Sequence, residues 1–173
     1  MQAGGPAMSD GKHYALEAFF GAALGDTASY TPHARHLGMR VVEMGPGFGV
    51  CVLPYRDELI GDPARRVVFG GAITTLLDHT SGLAVACALE VLRPIATIDL
   101  RVDYLRAAAP GVDLYARSEC YHVTHAVAFV RAWAYERERD DPFASCLATF
   151  MLGANYSENP FEALITPDEP EGQ

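Results

Sequence analysis

The longest amphipathic pattern in the sequence lies between Gly71 and Cys87, where apolar residues recur at steps of three and four positions. Such spacing is typical of a helix with one buried face. The sequence therefore predicts a long helix that opens at the Gly70-Gly71 pair and ends before Pro94. Its predicted buried face consists of Ile73, Leu76, Leu77, Thr80, Leu83, Ala84 and Cys87.

Apolar runs typical of strands flank this helix on both sides. Before it, two β-branched runs around the turn residues 45–47 (Gly-Pro-Gly) predict a hairpin, and residues 56–66 are predicted to form a loop. After it, four further strands are predicted at 96–105, 112–122, 125–136 and 144–152. The chain is thus expected to form an α+β domain in which an antiparallel sheet wraps around a long central helix.

The first strand after the helix alternates between apolar and charged residues. Strict alternation has a period of two. It predicts one buried face and leaves Thr97 on the opposite face, together with Asp99 and Arg101. The predicted buried residues of this strand are Ile98, Leu100, Val102 and Tyr104.

The two ends of the chain differ from this central part. We divide the sequence into an N-terminal segment (1–37) with a short helix at 14–24, a central domain (38–152) and a tail (153–173). The tail is acidic, contains prolines and has no Lys or Arg, so it is predicted to be mobile.

Composition and charge narrow the possible functions. A chain of 173 residues with 50% hydrophobic content can bury one core, and its net charge of −9 disfavours nucleic acid and anionic membranes as partners. The four cysteines lie far apart, which predicts a reducing, cytoplasmic location. No export signal is recognisable, and the histidines lack metal-binding spacing, so we predict no metal site.

Asp78 needs an explanation, because it is a carboxylate among apolar and small residues in the middle of the long helix. Its neighbours three and four positions away are all small: Thr74, Thr75, Ser81 and Gly82. The Gly-Gly pair at the helix start would present free N–H groups at the positive end of the helix dipole. A carboxylate and an oxyanion site would then lie on one element.

A plainer interpretation is that the glycines serve packing and that Asp78 lies on a solvated helix face. Charged residues usually occupy exposed faces. However, a solvated face normally carries several charged residues, and this helix has almost no Lys, Arg or Glu. The composition of the helix therefore favours a functional carboxylate.

Three stretches, FGGAITTLLDHTSGLA, ATIDLRVDYLRAAAPG and SCLATFML, resemble the hotdog-fold acyl-CoA thioesterases of the phenylacetate-degradation (PaaI-like) group. The resemblance covers about residues 38–152. It implies a sheet wrapped around a long helix, hydrolysis of a thioester, and active sites at the interface of a homodimer or of a dimer of dimers. Coenzyme A, or an acyl carrier, would enter as part of the substrate, and no separate cofactor is implied.

The resemblance also implies roles for individual residues. Asp78 matches the catalytic carboxylate, which acts as nucleophile or as general base on water. Gly71 matches the residue whose backbone N–H polarises the thioester carbonyl, and Thr97 matches a hydroxyl residue that assists the attacking water. The residues expected to bind substrate are Phe69, Gly70, Thr74, Thr75, Ser81, Gly82 and, through a coenzyme A phosphate, Arg106.

The chain departs from the family pattern in front of the glycines. Phe69 stands where the family usually has His, and Pro63 stands where an Asn is often found. Three functions therefore remain open: a thioesterase using Asp78, a non-catalytic acyl-CoA-binding protein of the same fold, and a hydratase or dehydratase. The last is ranked lowest because it needs a His and a carboxylate that converge on one site.

Overall fold

The computed structural model of the protein describes residues 31–91 and 93–153. The predicted helix at 14–24 and the tail beyond residue 153 lie outside this part of the chain. None of the helices in the described residues is long and apolar enough to cross a membrane. The elements are α1 (Pro32–His36), β1 (Arg40–Gly45), β2 (Phe48–Leu53), a 3-10 turn (Asp57–Leu59), β3 (Ile60–Asp62), β4 (Val67–Val68), α2 (Gly70–Ala88), β5 (Ile95–Tyr104), β6 (Leu114–Val123), β7 (Val127–Tyr135) and β8 (Ala144–Leu152).

Six strands form one sheet in the order β1-β2-β6-β7-β8-β5, and every neighbouring pair is antiparallel. The predicted hairpin, the four later strands and the long helix are all present, so the predicted α+β arrangement is confirmed. The prediction of a plain loop at 56–66 was wrong. This region contains the 3-10 turn and the short β3–β4 ribbon. The ribbon was not predicted because its strands are short and because Gly61, Asp62 and Pro63 are typical of turns.

The central helix α2 packs across β2, β6 and β7. Its predicted apolar face is confirmed, because six of the seven predicted residues are buried and Cys87 is partly buried. Small residues on the sheet allow this close packing. A side chain at Gly49 of β2 would collide with Leu83 of the helix, and the alanines of β6, β7 and β8 that face the helix are fully or almost fully buried.

Strand β5 lies at an edge of the sheet and contains a β-bulge. Thr97 is paired with Phe150 and Asp99 with Thr149, so Ile98 is an extra residue without a partner. The extra residue shifts the alternation of side chains by one position, so residues before and after the bulge do not follow one continuous alternation. Thr97 therefore shares the helix-facing side with the buried Phe150, and the face predicted for it by strict alternation was wrong. Ile98, predicted to be buried, is 58% exposed.

Candidate active site

The start of α2 presents free backbone donors. Phe69 occupies the N-cap position without a side-chain cap, and its carbonyl accepts hydrogen bonds from the N–H groups of Ala72 (3.0 Å) and Ile73 (3.4 Å). Within the described residues, no acceptor is bonded to the N–H of Gly70 or Gly71. The first turn of the helix contains no acidic side chain. Two N–H groups at the positive end of the helix dipole are thus available to an anionic oxygen.

Phe69 forms an apolar wall beside these donors. Its backbone N–H donates to the carbonyl of Leu59 at 2.8 Å, which anchors the residue to the preceding turn. The ring lies over Gly71 and passes close to Gly61, and a Cβ at either glycine would collide with Phe69. At 62% exposure, the ring is open to solvent and to a ligand. The ring can therefore occupy this position only because residues 61 and 71 have no side chains.

Asp78 and Thr97 meet across the helix and the edge strand. The Thr97 hydroxyl donates a hydrogen bond to Asp78 Oδ1 at 2.8 Å. The bulge at Ile98 makes this contact possible, because it turns Thr97 toward α2. Among the described residues, Asp78 Oδ2 has no hydrogen-bond partner. Asp78 lies seven residues after Gly71, which corresponds to about 10 Å along the helix axis.

Tyr104 also lies in this region, although no functional role was predicted for it. Its hydroxyl donates to the carbonyl oxygen of Gly70 at 2.8 Å and lies 3.0 Å from Thr74 Oγ1. Since the single hydroxyl proton of Tyr104 is used on Gly70, Thr74 is the donor in the second bond. The only sequence signal was the alternation that places Tyr104 on the same face as Leu100 and Val102. The buried position predicted for Tyr104 was wrong, because the residue is 50% exposed.

The remaining small residues of α2 are divided between two sides of the helix. Gly82 faces the start of β5 and the end of β8, where a Cβ would lie 3.5 Å from Ile95 and 3.9 Å from Phe150. Thr75 is partly buried and donates to the Gly71 carbonyl at 3.0 Å. Ser81 is fully buried and its Oγ lies 3.3 Å from that of Ser118 in the core. Ser81 is thus bonded toward the sheet and has no surface for the substrate contact predicted for it.

Arg106 is engaged in an ion pair. Its guanidinium donates two hydrogen bonds of 2.8 Å to the two oxygens of Glu136 and one of 3.2 Å to Asp141. Burial alone would raise the pKa of Glu136, but bonds from Arg106 and from the Ala109 N–H hold it below its usual range. Arg106 therefore ties the end of β7 to the segment after β5, and the predicted phosphate contact is without support in this geometry.

The cysteines of the described residues are poor nucleophiles. Burial raises the pKa of Cys51, Cys87 and Cys146 to about 12. For Cys146, the nearby charges of Asp78 and two other aspartates of the region raise the pKa further. A thiol with such a pKa is protonated near neutral pH and does not react as a thiolate. The three cysteines are therefore poor candidates for the nucleophile of this region.

Comparison with known proteins agrees with this geometry. Residues 66–142, which include the helix start, Asp78, Thr97 and Tyr104, match the family described as the Thioesterase superfamily. The medium/long-chain acyl-CoA thioesterase YigI of Escherichia coli is 30% identical over 137 residues, and the match covers 72% of this chain and 87% of YigI.

Solved structures show the same fold. A Pseudomonas aeruginosa protein with 40% sequence identity superposes with a TM-score of 0.63 over 69% of this chain and 88% of that chain. The Escherichia coli PaaI protein from the phenylacetic acid degradation operon is only 16% identical, yet it superposes with a TM-score of 0.68 over 83% of this chain and 96% of that chain. The hotdog fold implied by the sequence resemblance is confirmed, and the chain belongs to the thioesterase superfamily.

Proposed function

We propose that the protein hydrolyses an acyl-CoA, or acyl-carrier, thioester to a free acid and a thiol. The observations that carry this proposal are the Asp78 carboxylate, held at one oxygen by Thr97, and the N–H groups of Gly70 and Gly71, which have no acceptor among the described residues. Because these groups are about 10 Å apart along the helix axis, a carboxylate and an N–H that act on the same carbonyl would come from two copies of the chain. A thioester is already activated. It therefore needs an oxyanion site and a placed nucleophile or base rather than a full triad.

The Gly71 N–H is the proposed donor to the thioester oxygen. When the carbonyl carbon is attacked, negative charge develops on this oxygen, and a fixed N–H at a helix N-terminus stabilises that charge. The Phe69 ring occupies the space that a side chain at residue 71 would fill, so the ring borders the approach of the substrate to this N–H. The tetrahedral intermediate then collapses, the carbon–sulfur bond breaks, and the thiolate leaves and takes up a proton.

Asp78 has two possible roles in the attack on the carbonyl carbon. As a general base, it removes a proton from a water molecule while that water attacks. As a nucleophile, it forms an acyl-aspartyl anhydride that water hydrolyses in a second step. In both routes, the Thr97 hydroxyl on Oδ1 leaves Oδ2 as the reacting oxygen.

Phe69 in place of the usual His is compatible with hydrolysis. The proposed oxyanion donors are backbone N–H groups, so replacement of the usual His by Phe does not remove them. The exposed ring adds an apolar surface next to the donors, which suits an apolar or aromatic acyl group. The relation to a medium/long-chain acyl-CoA thioesterase supports hydrolysis of the same class of substrate.

The direct test is release of free thiol from a panel of short, medium, long and aromatic acyl-CoAs. We expect hydrolysis of at least one apolar acyl-CoA. Saturable binding of acyl-CoA without thiol release on any substrate would instead support the binding protein. Addition of water to an enoyl-CoA without cleavage of the thioester would support the hydratase.

The Thr97→Val variant should lower kcat about tenfold. Hydrogen bonds to charged groups contribute about 1.5–3 kcal/mol, and the lower value corresponds to about tenfold in rate. Valine keeps the shape of the side chain and removes the donor to Asp78. The matched control is Thr97→Ser, which keeps the hydroxyl and should retain most of the activity. Equal rates for the Val variant and the wild type would exclude a role for this bond.

We also propose that the active protein is a homodimer, or a dimer of dimers, joined along the edge strand β5. The outer edge of this strand has no partner among the described strands. Ile98 within the strand and Leu105 directly after it are 58% and 59% exposed. Edge strands with exposed apolar residues are natural pairing surfaces. A symmetric partner at this edge would also cover the contact between Thr97 and Asp78.

The molecular mass of the protein eluted from a size-exclusion column, measured by light scattering, tests the assembly. A dimer has twice the chain mass of 18.7 kDa, and a dimer of dimers has four times that mass. A monomer that remains fully active would contradict a site completed by its partner.

The cytoplasmic location expected from the cysteines stays a prediction.

A further inference from the structure

The Gly70 carbonyl and the Gly71 N–H belong to one peptide unit. The atoms of a peptide lie in one plane and share resonance, so a hydrogen bond to the oxygen affects the N–H at the other end. Tyr104 donates to this oxygen at 2.8 Å, and the Thr74 hydroxyl in turn donates to Tyr104 at 3.0 Å. The chain of bonds therefore ends on the peptide whose N–H is the proposed oxyanion donor.

Two physical effects follow from this chain of bonds. Each hydrogen bond polarises the next, which strengthens a chain by about 10–30% per bond. In addition, Tyr104 comes from β5 and the peptide from α2, so the bond fixes the orientation of the peptide against the sheet. The approach favours glycine: a Cβ at Gly70 would lie 3.2 Å from the tyrosine oxygen, a tight contact that the tyrosine would have to relieve by a small shift.

We propose that Tyr104 is a positioning residue of the oxyanion site: its hydroxyl polarises the Gly70–Gly71 peptide and holds the Gly71 N–H toward the thioester oxygen. This role rests on the proposed thioesterase function and deepens it. Thr74 supports the same bond by orienting the tyrosine hydroxyl. Neither side chain needs to touch the substrate to affect the rate.

The Tyr104→Phe variant isolates the hydroxyl, since it keeps the ring. Loss of one oxyanion donor costs about 10²- to 10³-fold in kcat, and a change of 10–30% in the logarithm of that factor gives a decrease of about two- to eightfold. KM should be unchanged because the lost effect acts on developing charge. An unchanged kcat, or a change confined to KM, would overturn the proposal.

Tyr55→Phe is a matched control. The Tyr55 hydroxyl also donates to a backbone carbonyl at 2.8 Å, that of Arg66, but this peptide is not part of the proposed site. Its loss should leave kcat unchanged. An equal decrease in both variants would mean that loss of any such bond loosens the fold, which contradicts a specific role of Tyr104.

A spectroscopic measurement separates this role from general stability. An acyl-CoA with an isotope-labelled thioester carbonyl is bound to the Asp78→Asn variant, and the carbonyl stretch is recorded by difference infrared spectroscopy. We expect a shift to lower frequency on binding and a smaller shift when Tyr104→Phe is added. An identical shift in both proteins would overturn the proposal.

The infrared measurement also distinguishes a failure of the Tyr104 proposal from a failure of the proposed thioesterase function. The shift is measured on bound substrate without turnover. If the shift depends on Tyr104 but the wild type hydrolyses no acyl-CoA, the proposed role of Tyr104 at the thioester oxygen stands and the proposed hydrolysis fails. If no acyl-CoA binds at all, both proposals fail.

Discussion

We expect the Asp78→Asn variant to hydrolyse acyl-CoA about 10²- to 10⁴-fold more slowly than the wild type, which is the usual contribution of a placed acid–base group. Asparagine keeps the size of the side chain and can still accept the hydrogen bond from Thr97. It removes the negative charge, so it neither takes a proton from water nor forms an anhydride. Initial rates of thiol release at saturating substrate measure the effect directly.

Asp99→Asn provides the matched control for this variant. Asp99 lies on the same strand as Thr97, is exposed, and faces away from the helix after the bulge. The variant makes the same chemical change and alters the net charge equally. It should retain wild-type activity. Comparable losses in the two variants would indicate that the overall charge of this edge, rather than a reacting carboxylate, controls the rate.

The Gly71→Ala variant should lose about 10²-fold in kcat. The added Cβ would collide with the ring of Phe69, so either the ring or the start of α2 must move. A displacement of about 1 Å of a group that positions the substrate can cost about 10²-fold. The methyl group would also narrow the approach to the backbone. Steady-state kinetics on the best substrate of the panel measures the loss.

Removal of the ring tests this explanation. In the double variant Gly71→Ala with Phe69→Ala, the collision is absent, and part of the lost activity should return. A double-mutant cycle with Phe69→Ala alone gives the coupling between the two positions. Strictly additive losses would show that the methyl group acts without the ring, for example by blocking the substrate itself.

The sequence was sufficient to predict the elements that repeat regularly. The spacing of Ile73, Leu76 and Leu83 predicted the buried face of α2, and the alternation in the later strands predicted the sheet, because both patterns follow from the geometry of a regular backbone. Asp78 and the Gly-Gly pair could also be identified as a candidate site from local sequence, because a carboxylate among small residues departs from the pattern around it.

The features that were missed depend on irregular backbone or on distant contacts. Alternation assumes one residue per step, so it cannot predict the bulge that turns Thr97 toward the helix. The partner of Arg106 is Glu136, thirty positions later, and only the folded sheet brings them together. The Tyr104 bond to Gly70 spans 34 positions and gives no local signal.

The bulge in β5 has a further consequence for the single chain, before a second copy covers this edge. A straight ten-residue strand at an open edge would offer a continuous row of unpaired backbone groups to any extended chain, which is the starting point of fibrous aggregation. The extra residue at Ile98 interrupts that row between Thr97 and Asp99. The same irregularity that supplies a hydroxyl to Asp78 thus also shortens the template available to foreign strands.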